Sequence, residues 1–149
     1  MYSAVHGAIG VAIVTATFAI TGNEVLSMAV GGFLAFLSHD PTDLLGEKGL
    51  GNGVFKYEIP AFIIMLLGGW LTGHLLLFYI GYTAANLMDL WDKKVYLSVF
   101  FPKKFPVRHD FPCHRRSPLI NFSLKQTQIA GVISTIAIAL ISALVYFLQ

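Results

Sequence analysis

Residues 59–91 decide the fold, and they read IPAFIIMLLGGWLTGHLLLFYIGYTAANLMDLW. As a single helix these 33 residues would extend about 50 Å, far beyond a hydrocarbon layer of about 30 Å. Basic residues lie on both sides of the stretch, and loops rich in Lys and Arg face the cytoplasm. Two cytoplasmic flanks predict that the stretch crosses a membrane twice, with a turn near 68–73.

Apolar residues also fill 4–20, 25–38 and 127–148. Across the chain 56% of residues are hydrophobic and 12% are charged, a balance that excludes an ordinary soluble domain. The length of 149 residues predicts one membrane-embedded domain, 1–149. The predicted fold is all-α, a polytopic membrane helix bundle of about five transmembrane helices, at about 3–20, 24–44, 57–69, 73–92 and 124–148. The third helix is short, and a re-entrant hairpin is the alternative there.

The basic residues predict the orientation of the bundle. All ten Lys and Arg residues fall within 48–56 and 93–125. The positive-inside rule then predicts a cytoplasmic amino terminus, a basic cytoplasmic loop at 93–124 and an external carboxyl terminus, in the inner (plasma) membrane of a prokaryote. The first apolar stretch lacks a basic leader and a cleavage site, which indicates a retained helix. We expect membrane lipids as partners and no nucleic acid.

The predicted topology gathers the unusual polar residues at one membrane face. His39 and Asp43 are spaced i,i+4, and Asp89 and Asp92 are spaced i,i+3, so each pair can share one side of a helix. Imidazoles and carboxylates on converging helices are typical ligands of a divalent metal. A charged group at membrane depth costs about 2.5–3.5 kcal/mol, which a bound cation would offset. The predicted metal ligands are His6, His39, Asp43, Asp89, Asp92 and His114, and the predicted ion is zinc or manganese.

A metal site of this kind requires convergence. Ligand atoms from separate helices would then lie about 3 to 4 Å apart around one centre. The alternative is that the carboxylates form ion pairs with Lys48, Lys93 or Lys94 at the membrane interface. The segment 108–116 can either fold back to supply a ligand through His109 or His114 or hold anionic lipid headgroups. The single cysteine, Cys113, is either a reduced thiol or a metal ligand.

Four short motifs carry a family resemblance. They are a histidine followed by small residues at 6–10, S-H-x-x-x-D at 38–43, D-x-x-D-K at 89–93 and H-R-R at 114–116. Together they resemble the bacterial LexA-regulated, inner-membrane-associated, metal-dependent hydrolases. The chain departs from that pattern at Gly46–Glu47, where such families often carry a histidine, and it lacks their H-R-G-x-T-H element.

The resemblance implies a metal-activated water that attacks a phosphoester or another ester. The interfacial depth of the site predicts an amphipathic substrate such as a phospholipid headgroup, and Asp40 is the predicted general base. The alternative function is a noncatalytic small membrane subunit, in which the polar cluster binds a structural ion or a protein partner. The two functions differ in whether the metal keeps an open coordination position.

Overall fold

Helix α1, Ser3–Thr21, lies at the centre of the fold in the computed structural model. It buries Ala8, Val11 and Val14 in one apolar cluster with Met65 and Phe78. The structure describes residues 3–45, 55–94, 97–117, 119–120 and 122–148. The loop positions Gly46, Glu47 and Lys48 lie outside these ranges.

The other helices differ widely in length. They are α2 (Glu24–Leu26), a π-helix (Ser27–Gly31), α3 (Gly32–Leu37), α4 (His39–Asp43), α5 (Phe55–Thr72), α6 (Leu75–Ala85), α7 (Leu87–Asp92), α8 (Leu97–Phe100), a 3-10 helix (Pro112–Arg115) and α9 (Leu124–Phe147). Within the described ranges there is no β-strand, only an isolated bridge between Leu45 and Ile120. The described chain is all-helical, as its composition predicts.

Helices α1, α5 and α9 all begin at the same end of the fold. Ala4, Glu58 and Gln128, near their three starts, line one cavity. At the opposite end, the ring of Phe18 lies 5.1 Å from that of His74 and 5.2 Å from that of Tyr146, between centroids. The end at which these three helices begin is called the site end below.

The prediction of about five transmembrane helices is wrong. Among the described helices only two are long and apolar enough to cross a membrane, Ala4–Thr21 and Gln126–Phe147. The apolar parts of α5 and α6 are shorter, Glu58–Thr72 and Leu75–Ala85. Apolar content alone overestimated the number of spans because residues that interrupt helices divide the predicted segments.

Pro41 accounts for one of these interruptions. Its nitrogen carries no hydrogen to donate to the carbonyl of Leu37, and its ring crowds that carbonyl. Helix α3 therefore ends at Leu37, and α4 begins at His39, beyond Ser38. The predicted helix at 24–44 is in this way divided just before two of its predicted metal ligands.

Two further interruptions divide the stretch 59–91. Helix α5 continues through most of the predicted turn to Thr72 and ends before Gly73, whose φ of +78° is in the left-handed region that favours glycine. Helix α6 ends before Asn86, whose side-chain Nδ2 donates to the carbonyl of Tyr82 at 2.8 Å. Helix α6 is consequently only 11 residues long, which is too short to cross the hydrocarbon layer.

Glycines allow α1 and α6 to approach each other at backbone distance. A Cβ at Gly10 would lie 2.0 Å from the carbonyl oxygen of Gly81, and a Cβ at Gly81 would lie 2.7 Å from that of Gly10. One turn earlier, a Cβ at Gly7 would lie 2.2 Å from the ring of Tyr82. Small residues at helix contacts in membrane proteins permit this kind of close packing.

We predict that Gly10→Ala destabilises the fold, because the obstructing atom is backbone and cannot move aside. The expected loss is about 1–3 kcal/mol, the usual cost of overpacking. Gly131→Ala is the matched control, since its Cβ would meet its nearest neighbour, the Cβ of Ala4, at an ordinary 3.5 Å. Thermal unfolding in detergent would measure both variants, and equal melting temperatures would contradict the close approach of α1 and α6.

Candidate metal centre

His39 is held by the backbone of the neighbouring helix. Its ring is fully buried, and its Nδ1 lies 2.7 Å from the carbonyl oxygen of Ala85. A carbonyl oxygen can only accept, so Nδ1 carries the hydrogen and donates it. When the ring is neutral, the lone pair of Nε2 lies on its opposite side, towards His114 and Asp43.

His114 is held in the same manner by a carboxylate. Its Nδ1 donates to Oδ2 of Asp92, whose Oδ1 accepts from the backbone N–H of Asp110 at 3.1 Å. The 3-10 helix that carries His114 therefore folds back onto α7. Metal-binding histidines commonly donate their second ring nitrogen to a carboxylate or a carbonyl, which fixes the tautomer and the ring orientation.

The free nitrogens of the two histidines converge with two carboxylates. The two Nε2 atoms lie 2.9 Å apart. Oδ2 of Asp43 lies 3.2 Å from Nε2 of His39 and 3.4 Å from that of His114, which also lies 3.7 Å from Oδ1 of Asp89. First-row metals bind such donors at about 2.0–2.2 Å, which places neighbouring ligand atoms at similar spacings.

His6 completes the cluster from α1. Its Nε2 lies 3.0 Å from Oδ1 of Asp43, and its ring stacks on that of His39 at 4.1 Å between centroids. The ring is fully buried, and its Nδ1 has no hydrogen-bond partner among the described residues. One nitrogen of His6 also comes within 4.8 Å of ligand atoms of His39 and Asp89.

The cluster favours the charged forms of His39, Asp43 and Asp89. Burial lowers the pKa of His39, but the hydrogen bond to Asp43 and the charge of Asp89 outweigh burial, so the pKa is raised above its ordinary value. Burial acts to raise the pKa of Asp43, and hydrogen bonds from His39 and His6 hold it well below the usual range. For Asp89, burial is likewise outweighed by the charge of Lys93, whose Nζ lies 3.5 Å from Oδ1, and the pKa is lowered.

The donor atoms fit a divalent metal. Three groups of His, Cys and Asp residues in the described chain could hold an ion, each with its ligand atoms within 4.8 Å of one another. Two neutral imidazole lone pairs that face each other at 2.9 Å repel unless a proton or a cation lies between them. The three groups are His39, Asp43, Cys113 and His114; His6, His39 and Asp89; and Asp92, His109 and His114.

The structure separates the predicted site residues into two sets. It brings together His6, His39, Asp43, Asp89 and His114, from α1, α4, α7 and the 3-10 helix. Asp92 adjoins them mainly as the partner of His114 Nδ1. Asp40, the predicted general base, is exposed, lies 3.4 Å from Arg116 and contributes no atom to the three groups.

Two features of the site carry little signal in the sequence. The carbonyl of Ala85 orients His39, and a backbone acceptor cannot be identified from residue type. Cys113 approaches the cluster and donates to Sδ of Met88 at 3.7 Å. Burial raises the pKa of its thiol to about 11, so the thiol is protonated at neutral pH when no metal is bound. The only sequence feature that indicated a role for Cys113 in the cluster is its position directly before His114.

The chain matches no protein-family model, no curated protein and no solved structure.

We predict that Asp43→Ala removes most of the bound metal, because it deletes a donor that faces both His39 and His114. Asp40→Ala is the matched control, since it removes a carboxylate from the same short helix but outside the cluster. Elemental analysis of detergent-purified protein would measure the metal content. A similar content in the two variants would favour an ion-pair cluster over a metal centre.

We also predict that Asp92→Ala weakens metal affinity about 10–100-fold, the usual effect of removing a carboxylate that orients a ligating histidine. Asp110→Ala is the control, because its backbone N–H to Asp92 is kept and its side chain contacts only the exposed Trp91 indole in the described structure. Competition with a chelator of known affinity gives both dissociation constants. Equal constants would place Asp92 outside the metal centre.

Proposed function

We propose that the chain is a membrane-associated, metal-dependent hydrolase that cleaves a phosphoester or a related ester in an amphipathic substrate. The observation that carries this proposal is the convergence of two oriented histidines and two carboxylates from separate helices. The family resemblance described above implies the same chemistry.

Some residues of the cluster would bind the ion, and others orient the histidine rings that bind it. His39, His114 and Asp43 would hold the ion, and Cys113 is the fourth member of their ligand group. Asp89 lies 3.7 Å from Nε2 of His114 but belongs to a separate group with His6 and His39. Ala85 and Asp92 keep the two imidazoles in the tautomer that presents Nε2. When bound, such an ion supplies a nucleophilic water at neutral pH and Lewis-acid polarisation of the ester.

The ion that we propose is zinc or manganese. Imidazole nitrogens suit zinc, whereas carboxylate oxygens suit manganese as well. Cys113 belongs to one of the three possible ligand groups, and a nearby thiol favours zinc because thiolates are soft ligands. A manganese ion would instead be bound through oxygen and nitrogen atoms alone, without the thiol of Cys113.

Cationic side chains near the cluster suit an anionic substrate. Lys93 lies 3.5 Å from Asp89, and Arg116 lies 3.4 Å from Asp40 at the surface. Arginine can bind phosphate through two parallel hydrogen bonds. We propose that Arg116 exchanges Asp40 for a phosphoester group of the substrate, so that Asp40 holds the arginine in place rather than acting as a base.

The apolar surface favours a membrane location. Only 28% of the apolar window in α9 is buried inside the fold, and Ile133, Leu140 and Leu144 on that helix are exposed. An apolar helix of 22 residues with such a surface is long enough to cross the hydrocarbon layer. We propose that the site end faces the cytoplasm of a prokaryote, because the cationic loop after α7 lies at that end.

The second candidate is a noncatalytic subunit with a structural ion. Complete burial of His6 and His39 favours it, because a sealed centre leaves no position for water and substrate. In contrast, the side chains of His114 and Asp89 keep 11% and 12% of their surface exposed, which favours an open position on that side.

We predict that zinc- or manganese-loaded protein in detergent hydrolyses a short-chain phosphatidic acid and releases inorganic phosphate. Chelation should abolish the release, and added metal should restore it. His39→Ala should reduce the rate at least a hundredfold, whereas Asp40→Asn should keep it within about threefold. A metal-loaded protein with no activity on this substrate or on bis(p-nitrophenyl) phosphate would favour the structural ion.

A further inference from the structure

A second cavity lies beside the metal centre, between α5 and α6. Its volume is about 210 Å³, and it is lined mainly by apolar and aromatic side chains. Phe62 forms one wall, with its ring 5.1 Å from that of Tyr82 and 6.4 Å from that of Tyr79. Binding sites for small molecules are typically of this kind, apolar with a few placed polar groups.

The cavity is apolar at its rim and polar at its buried end. Ile59 and Tyr79 line it and are 45% and 44% exposed, so the rim opens onto the apolar surface. Glu58 and Asn86 also line it and are 5% and 2% exposed. A ligand that enters from the apolar surface would place its polar group first.

Asn86 has an acceptor that nothing in the described structure satisfies. Its Nδ2 donates to the carbonyl of Tyr82, which fixes the orientation of the amide because a carbonyl cannot donate. Its Oδ1 is buried without a hydrogen-bond partner among the described residues. A buried acceptor left unpaired costs about 1–3 kcal/mol, which a ligand with a hydrogen-bond donor would recover.

We propose that this cavity binds the hydroxyl end of an uncharged single-chain amphiphile, with the hydroxyl donating to Asn86 Oδ1 and the alkyl chain passing between Ile59 and Tyr79. A hydroxyl fits because it enters a buried site at much lower desolvation cost than a charged group. The Glu58 carboxylate opposes a carboxylate-headed chain at the same end. Phe62, Tyr79 and Tyr82 supply the apolar walls.

The position of the cavity connects it to the metal centre. Asn86 lies between Ala85, which orients His39, and Asp89, which faces His114. Hydrolysis of a single-chain phosphate monoester consumes one water and yields a single-chain alcohol and inorganic phosphate. The identification of the bound alcohol as that product rests on the proposed function, whereas the binding itself does not.

Equilibrium binding of tritiated 1-decanol to the metal-loaded, detergent-solubilised chain tests the proposal. Unlabelled decyl methyl ether, which has the chain but no donor, should compete about tenfold more weakly than unlabelled decanol. Asn86→Leu should remove this preference while binding of the ether is kept. Equal competition by the two compounds in the unaltered chain, or tighter binding of decylammonium than of decanol, would overturn the hydroxyl assignment.

Ile59→Trp tests the rim without altering the buried end. The larger side chain should block entry and weaken decanol binding at least tenfold. Ile63→Trp is the matched control, since Ile63 lies on the same helix, is 49% exposed and does not line the cavity. Equal binding by the two variants would refute this site even if Asn86→Leu fails to fold.

Metal content and decanol binding, measured on the same samples, separate this proposal from the proposed function. His39→Ala should lose metal and still bind decanol. Asn86→Leu should keep metal and lose the preference for the alcohol. Loss of decanol binding in a folded His39→Ala variant would contradict an independent cavity site.

Discussion

The backbone contact between α1 and α6 is the constraint on which the rest of the structure depends. Gly10 and Gly81 bring the two helices together at a distance that no Cβ permits. This contact fixes the height of His6 on α1 relative to Ala85, the carbonyl that orients His39. The stacked rings of the two histidines therefore result from a packing distance that glycine alone allows.

In the cluster at the site end, a hydrogen bond from Nδ1 fixes the orientation of each of two histidine rings. His39 and His114 each use Nδ1 to donate to a fixed acceptor, which leaves both Nε2 atoms facing Asp43. The two rings are therefore held by the carbonyl of Ala85 and the carboxylate of Asp92, which lie on the side of each ring opposite Nε2.

The breaks between helices determine the positions of the cluster residues as much as the helices themselves do. Pro41 ends α3 and allows α4 to turn Asp43 inward while Asp40 faces Arg116. Asn86 ends α6, precedes α7 and lines the neighbouring cavity. The same interruptions shorten the apolar helices, which is why the count of transmembrane helices from composition was too high.

The sequence by itself determined the helical class, the extent of α9 and the small residues at the α1 and α6 contact, because these follow from local composition and spacing. It also indicated which histidines and aspartates share the site end. Only the tertiary structure decided that Asp43 faces the histidines and Asp40 does not. The two residues lie on either side of Pro41 in a helix of five residues, which is too short for the sequence to show which side faces the bundle. The role of Ala85 likewise depends on a backbone carbonyl, whose direction is set by packing and not by residue type.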